Sequence, residues 1–193
     1  IETNSFRANR FAIEEYGLSE RVVELNRAAA RIARAEADRF SAPGSPRLVA
    51  GSIGPSGYLP SASDPVLGSK GWGDLEAAFA EQARGLIEGG VDLLLVETSQ
   101  DMLEVKAAVA GIRRALAETG AALPIQAQVT LDTTGRMLLG TNMEAALTIL
   151  EGLGIDVIGL NCSTGPEHMR EPIRILGEQA ALPVSCIPNA GLP

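Results

Sequence analysis

Three side chains in this sequence have the types and spacing to meet and do chemistry: a thiol, a carboxylate and an amide. The thiol is Cys162, inside Gly159-Leu160-Asn161-Cys162-Ser163-Thr164-Gly165-Pro166-Glu167. The apolar run before it reads as a buried strand, Asp156 to Cys162. The residues after it read as a helix start: Thr164 and Glu167 have capping-box spacing, and Pro166 sits in the first turn. A thiol at such a junction faces the positive end of a helix dipole. That favours thiolate, the form that binds metal or attacks carbon. The plainer reading of a lone cysteine is a small buried core residue. The carboxylate is Glu97, which closes the apolar stretch Val91–Val96. A carboxylate after such a stretch must be satisfied. The α-ammonium of a ligand would do so, as would Thr98 or the next helix N-terminus. The amide is Asn189, 27 residues after Cys162 at the end of the following strand. A thiolate and an amide make a poor nucleophile pair and a better part of a metal shell, where zinc prefers sulfur. No Cys-x-x-Cys or His-Glu-x-x-His motif accompanies them. Two ligands do not complete a zinc site, so the others are expected outside this chain.

Other reactive residues read as structural. His168, the only histidine, falls in the first turn of a helix and is expected on the surface. Cys186 lies mid-strand and is expected to pack. Tyr58 and Trp72 flank a long Gly-, Ser- and Pro-rich loop, Gly54 to Gly71. They would either line a ligand pocket or pack beneath that loop.

These residues need a frame, and the frame repeats. Apolar runs at Arg47–Ile53, Val91–Glu97, Pro124–Leu131, Asp156–Cys162 and Pro183–Ile187 start 44, 33, 32 and 27 residues apart. After the first gap this is the spacing of strand–helix units. Ile1–Thr3 reads as the end of a sixth strand. Apolarity on consecutive positions means burial on both faces, hence parallel strands covered by helices. Helical periodicity places helices over Ser19–Phe40, Gly73–Glu88, Gln100–Thr119, Glu144–Leu153 and residues 168–181, with a capping box at Thr141 and Glu144. Six such strands fit a doubly wound sheet or most of a (β/α)8 barrel. No Gly-x-Gly-x-x-Gly turn follows the first strand, as a dinucleotide fold would want. Polar residues recur at the strand ends instead: Asn4, Ser52, Glu97, Asp132, Asn161 with Cys162, and Asn189. In a barrel those ends converge on one face, where the active site sits. The expected fold is an incomplete (β/α)8 TIM-type barrel.

The totals suit this. The chain has 193 residues, 46% hydrophobic, with net charge -8 and no basic cluster. One domain spanning 1–193 is expected, with neither a nucleic-acid nor a membrane surface. Two cysteines make no disulfide framework, and no 18-residue apolar run or signal peptide is present. A cytoplasmic, reducing setting is the default. Residue 1 is Ile, and the last residues stop just after a strand, so the chain reads as a fragment cut at both ends.

An ordered set of motifs resembles one family over essentially the whole chain. The set is Glu2-Thr3-Asn4-Ser5-Phe6, Val49-Ala50-Gly51-Ser52-Ile53-Gly54-Pro55, Gly89-Gly90-Val91-Asp92 through Glu97-Thr98, Gly159-Leu160-Asn161-Cys162-Ser163, and Pro188-Asn189-Ala190-Gly191-Leu192-Pro193. It is similar to the homocysteine-binding barrel of cobalamin-dependent methionine synthases. The resemblance implies a zinc-dependent homocysteine S-methyltransferase in which three cysteines hold zinc. Cys162 matches the first. The other two, in a Gly-Gly-Cys-Cys-Gly motif on strand eight, lie beyond this sequence, as does the first strand. Glu97 matches the carboxylate that holds the substrate amino group, with Asn4 and Asn161 as further substrate-binding residues. Asn189 matches a fourth zinc ligand displaced by substrate. Zinc would deprotonate the homocysteine sulfur. The thiolate would take a methyl group from methylcobalamin, carried by a cobalamin-binding domain and recharged by a methyltetrahydrofolate-binding domain elsewhere in the parent chain. The fragment alone is then expected to be inactive. Two alternatives are a cobalamin-independent methyltransferase using betaine or S-methylmethionine, and a non-catalytic barrel that binds a small ligand.

Overall fold

A computed structural model describes residues 1–191. Its centre is a parallel sheet of five strands: β1 (Ala50–Ile53), β2 (Leu93–Ser99), β3 (Ile125–Val129), β4 (Val157–Asn161) and β5 (Val184–Ile187). Each pairs with the next in chain order. Monotonic order sets this sheet apart from a doubly wound one, which reverses at a switch point. Closure is absent among the described residues, and the sixth strand is reduced to one parallel bridge, Glu2 with Ala50. The concave face encloses a hollow of about 650 Å³, lined by Ile1, Glu2 and Leu48 at one end and Ser185 and Ile187 at the other.

Alternation along each strand decides what faces what. Leu94 and Val96 of β2, Ala127 and Val129 of β3, and Ile158 and Leu160 of β4 are buried and join the main core. That core includes Phe79 and Leu86 of α3 (Trp72–Gly89), Ile112 of α4 (Met102–Thr119), Leu150 of α5 (Met143–Gly152) and Leu176 of α6 (Pro166–Gln179). The other set, including Leu93, Leu95, Gln126, Ser185 and Ile187, lines the hollow. Ahead of β1, α1 (Arg10–Glu14) and α2 (Val22–Phe40) lead in, the latter preceded by a 3₁₀ turn at Ser19–Arg21. α2 packs closely on α3 because Gly89 carries no side chain: a Cβ there would sit 2.3 Å from that of Ala30.

Three local readings change. The N-cap of α5 is Asn142, whose side chain accepts from the Ala145 N–H, so the expected cap at Thr141 slips by one. α6 is capped by Gly165, with Pro166 opening the helix, and Thr164 is buried beneath it. The five-residue α1 was not expected, being shorter than two helical turns. Leu192 and Pro193, the end of the last motif, lie outside the described residues. Among those described, no helix is long and apolar enough to cross a membrane.

Candidate functional site

The ladder between β2 and β3 breaks where β2 ends. Val96 pairs with Ala127, but the next partners are Ser99 and Val129, so β2 carries one extra residue across Glu97 and Thr98. A bulge bends a strand and re-aims its side chains. Thr98 is held at φ 57, the left-handed region that a β-branched residue seldom enters. Its N–H leaves the ladder and donates to Asn161 Oδ1 at 2.7 Å, so an amide from the end of β4 replaces the lost backbone partner.

Asn161 Nδ2 turns to the other side. It lies 3.1 Å from Glu97 Oε2, 2.8 Å from Thr98 Oγ1 and 3.3 Å from Cys162 Sγ. Two amide hydrogens thus serve three acceptors. The Asn161 carbonyl accepts from Thr130 Oγ1 at 2.7 Å, which fixes the backbone that aims this amide. Ser52 Oγ, at the end of β1, donates to Glu97 Oε1 at 2.5 Å. Ser52 is set in turn by Thr3 Oγ1, which accepts its N–H at 2.9 Å, and by Ser5 Oγ, which donates to its carbonyl at 2.7 Å. Glu97 is 8% exposed. Burial pushes its carboxyl above the ordinary carboxylate range, the Ser52 hydroxyl pulls it partly back, and the Glu2 charge adds to the rise. No cation acts on it among the described residues.

Past β4 the backbone turns sharply. Cys162 and Ser163 both take left-handed conformations, φ 56 and 61, and the Thr164 N–H folds back 2.6 Å onto the Cys162 carbonyl. This double turn carries the half-buried Cys162 from the sheet edge to the start of α6. The Asn189 N–H donates to the Thr164 carbonyl at 3.0 Å, which brings the segment after β5 against the same turn.

Glu97, Asn161 and Cys162 therefore form one hydrogen-bonded group, with Asn189 on the neighbouring loop. Asn4 is exposed on the segment beyond Thr3 and stands apart from this group. Asp132 also falls outside it: the side chain closes its own turn, accepting from Thr134 and the Arg136 N–H, which lowers its carboxyl pKa. His168 is exposed. Cys186, expected to pack, is exposed on the edge strand β5, which no described strand covers on its far side, with its sulfur 3.8 Å from that of Met169. Tyr58 meets Phe11 edge-on, ring centres 5.3 Å apart, and Trp72 is exposed with its indole N–H on Glu76. The bulge and Thr130 escaped the sequence reading, and Thr98, read there as a partner for Glu97, binds Asn161 instead. The one signal for them was the unbroken polar string Glu97-Thr98-Ser99 after six residues that are apolar but for Asp92.

Among the described residues, no group of three or more His, Cys, Asp and Glu side chains gathers as a metal site would. Cys162 and Asn189 amount to one sulfur and one amide, part of a shell and not a whole one.

Comparisons with known proteins match the whole chain. The profile of the family described as homocysteine S-methyltransferase covers residues 1–193. Two methionine synthases align over all 193 residues, that of Mycobacterium tuberculosis (strain ATCC 25618 / H37Rv) at 46% identity and that of Mycobacterium leprae (strain TN) at 44%. The chain spans only 16% of the length of either. The metallated form of the homocysteine methyltransferase MmuM from Escherichia coli superposes with a TM-score of 0.80 at 22% identity, over 98% of this chain and 66% of that one. Its apo form gives 0.62 at 25% identity, over 92% and 61%.

Proposed function

Since the chain belongs to the homocysteine S-methyltransferase family, we propose that it is the homocysteine-binding unit of a methionine synthase. The observation that carries this reading is the Glu97 carboxylate. It is buried at the carboxyl end of β2, held by two neutral donors, without a cation among the described residues, and linked through Asn161 to the Cys162 thiol. A buried carboxylate in that state suits an ammonium group, which would supply the missing charge. An amino acid anchored there by its amino group directs its side-chain sulfur toward Cys162. Asn161 orients both partners, and Ser52 holds the far oxygen of Glu97. Asn4, at the exposed rim, would meet the substrate only from outside.

Zinc fits this end of the molecule in part: Cys162 would give it a thiolate and Asn189 an amide oxygen, with the remaining ligands from residues beyond 1–193. When bound, the metal would deprotonate the homocysteine sulfur and make it a nucleophile at neutral pH. The protein's own share is to fix the ammonium on Glu97, offset through the Ser52 hydroxyl part of the burial that favours the neutral acid, and hold the thiol side of the site through Asn161.

The methyl group would come from methylcobalamin on another domain, recharged from methyltetrahydrofolate on a third, in a cytoplasmic protein. The 16% share of the mycobacterial relatives leaves ample length for such domains. The identity of 46% to methionine synthase, against 22% to MmuM, supports this donor over the cobalamin-independent kind. In the same reading, residues 1–193 are one domain, an incomplete (β/α)8 barrel whose first and eighth strands lie outside. They are expected to transfer no methyl group alone.

The test is calorimetric titration of the intact zinc-loaded protein with homocysteine. Glu97→Gln should weaken binding about 100-fold, the scale of a buried charge losing its partner. 4-Mercaptobutanoate, which lacks the amino group, should bind the variant and the parent protein alike. Equal affinity of both proteins for homocysteine would overturn the reading.

A further inference from the structure

A second buried carboxylate without a cation among the described residues lies outside this site. Glu104, in the first turn of α4, is 2% exposed. Its Oε1 accepts two hydrogen bonds from Ser56, from the N–H at 2.7 Å and from the hydroxyl at 2.5 Å. Its Oε2 is buried with no hydrogen-bond partner among the described residues. Ser56 stands near the start of the long loop joining β1 to α3, four residues after Ser52. Five residues further on, Ser61 donates from its N–H at 2.8 Å and its hydroxyl at 2.7 Å to Asp101, the N-cap of α4. Two carboxylates on one helix end thus strap the loop down at two points. On the opposite side, Gly54 N–H donates to the Phe6 carbonyl at 2.9 Å and Asn9 Nδ2 to the Pro55 carbonyl at 3.2 Å, so the base of the loop is clamped. A Cβ on Gly54 would lie 2.5 Å from the Phe6 ring, which leaves the base no room to shift.

We propose that Glu104 is a positioning residue, a proton-operated catch that holds the β1–α3 loop down when protonated and loosens it when ionised. The geometry distinguishes the two forms. As a neutral acid, Glu104 can accept both Ser56 bonds on Oε1 and keep its proton on Oε2. As an anion, it leaves half a charge on an oxygen that meets no donor. Among the described residues, Asp101, the N-cap of its own helix, is the one charged group acting on it and repels that anion, and the loop offers it Ser56 alone. Water reaches Oε2 only when the loop lifts. Burial pushes the carboxyl from its ordinary 4.5 up to about 7. A lifted loop returns it to the ordinary value. Between those limits each unit of rising pH moves the balance about tenfold toward the lifted form, about 300-fold at most. The loop leaves β1 just past Ser52, which holds Glu97, so the catch sets the rim of the site. It acts in the free protein and does not depend on which substrate the site takes.

Hydrogen–deuterium exchange of peptides spanning 54–71, followed by mass spectrometry on the intact protein without substrate from pH 5.5 to 8.5, tests this. After correction for the intrinsic pH dependence of exchange, opening should rise through pH 7 and then level off. Glu104→Gln, which mimics the neutral acid, should keep the loop protected and flatten the curve. Ser56→Ala removes the hydroxyl that favours the anion and should move the midpoint upward. A corrected profile that is flat in the parent protein, or unchanged in Glu104→Gln, would overturn the proposal.

Discussion

The two ends of the sheet use carboxylates in opposite ways. At the amino end, Asp92 accepts the Val49 N–H at 2.6 Å and pairs with Arg34 at 2.7 Å, and Asp156 accepts the Ile125 N–H at 2.8 Å. Each pins the backbone just ahead of or at the start of a neighbouring strand, and Asp92 has a cation as well. At the carboxyl end, Glu97 takes two side-chain donors and, among the described residues, no backbone donor and no cation. The residue types are nearly alike and their partners are not. A carboxylate satisfied by backbone and arginine is finished with its work, which is stability. One left short of positive charge in a buried place is ready for a ligand. This is the division of labour expected between the two faces of a parallel strand–helix architecture.

The sharpest way to break the comparison is at the amino end. Asp92→Ala removes the bond to Val49 and the pair with Arg34, and should cost roughly 2 kcal/mol of stability. Thermal denaturation should show the loss while homocysteine affinity stays unchanged; a fall in affinity like that of Glu97→Gln would merge the two roles. Next comes pH. Glu97 has a raised carboxyl pKa, so homocysteine affinity should drop about tenfold per unit as pH falls below that value, because a neutral carboxyl cannot hold an ammonium. The sign for the free protein is the reverse. The folded state holds this proton more tightly than the unfolded chain does. Stability is therefore greatest below the ordinary carboxylate value and declines as pH rises toward the raised one. Titration calorimetry across pH reads the first effect, and Glu97→Gln should abolish both. The smallest effect belongs to Thr98→Gly, which relieves a left-handed threonine and loses its hydroxyl on Asn161. A net gain of roughly 0.5–1 kcal/mol in thermal stability should accompany a few-fold weaker hold on homocysteine.

Much of the frame was legible, because buried parallel strands declare themselves by consecutive apolar residues. All five runs became strands, trimmed by one to three residues at the start where Leu48 and Asp92 meet solvent. Glu97, Asn161 and Cys162 were legible too, since each ends or follows such a run. The bulge was hidden, because it depends on how β2 registers with β3 and no single strand encodes that. Glu104 was hidden for a different reason. An acidic residue in a first helical turn reads as a solvent-facing partner of the helix dipole. Only the descent of the 54–71 loop over it makes it a buried group. Asp132 erred the other way: a polar residue after a strand can equally serve its own turn.

The Asn161 amide has a consequence for how the site responds. It shares two hydrogens among Glu97, Thr98 and Cys162. Whatever satisfies the Glu97 carboxylate releases one of them toward the sulfur, and whatever occupies the sulfur releases one toward the carboxylate. The two halves of the site are thus connected through a single scarce donor. Occupancy of either half changes the affinity of the other, and by thermodynamic reciprocity the factor is the same in both directions.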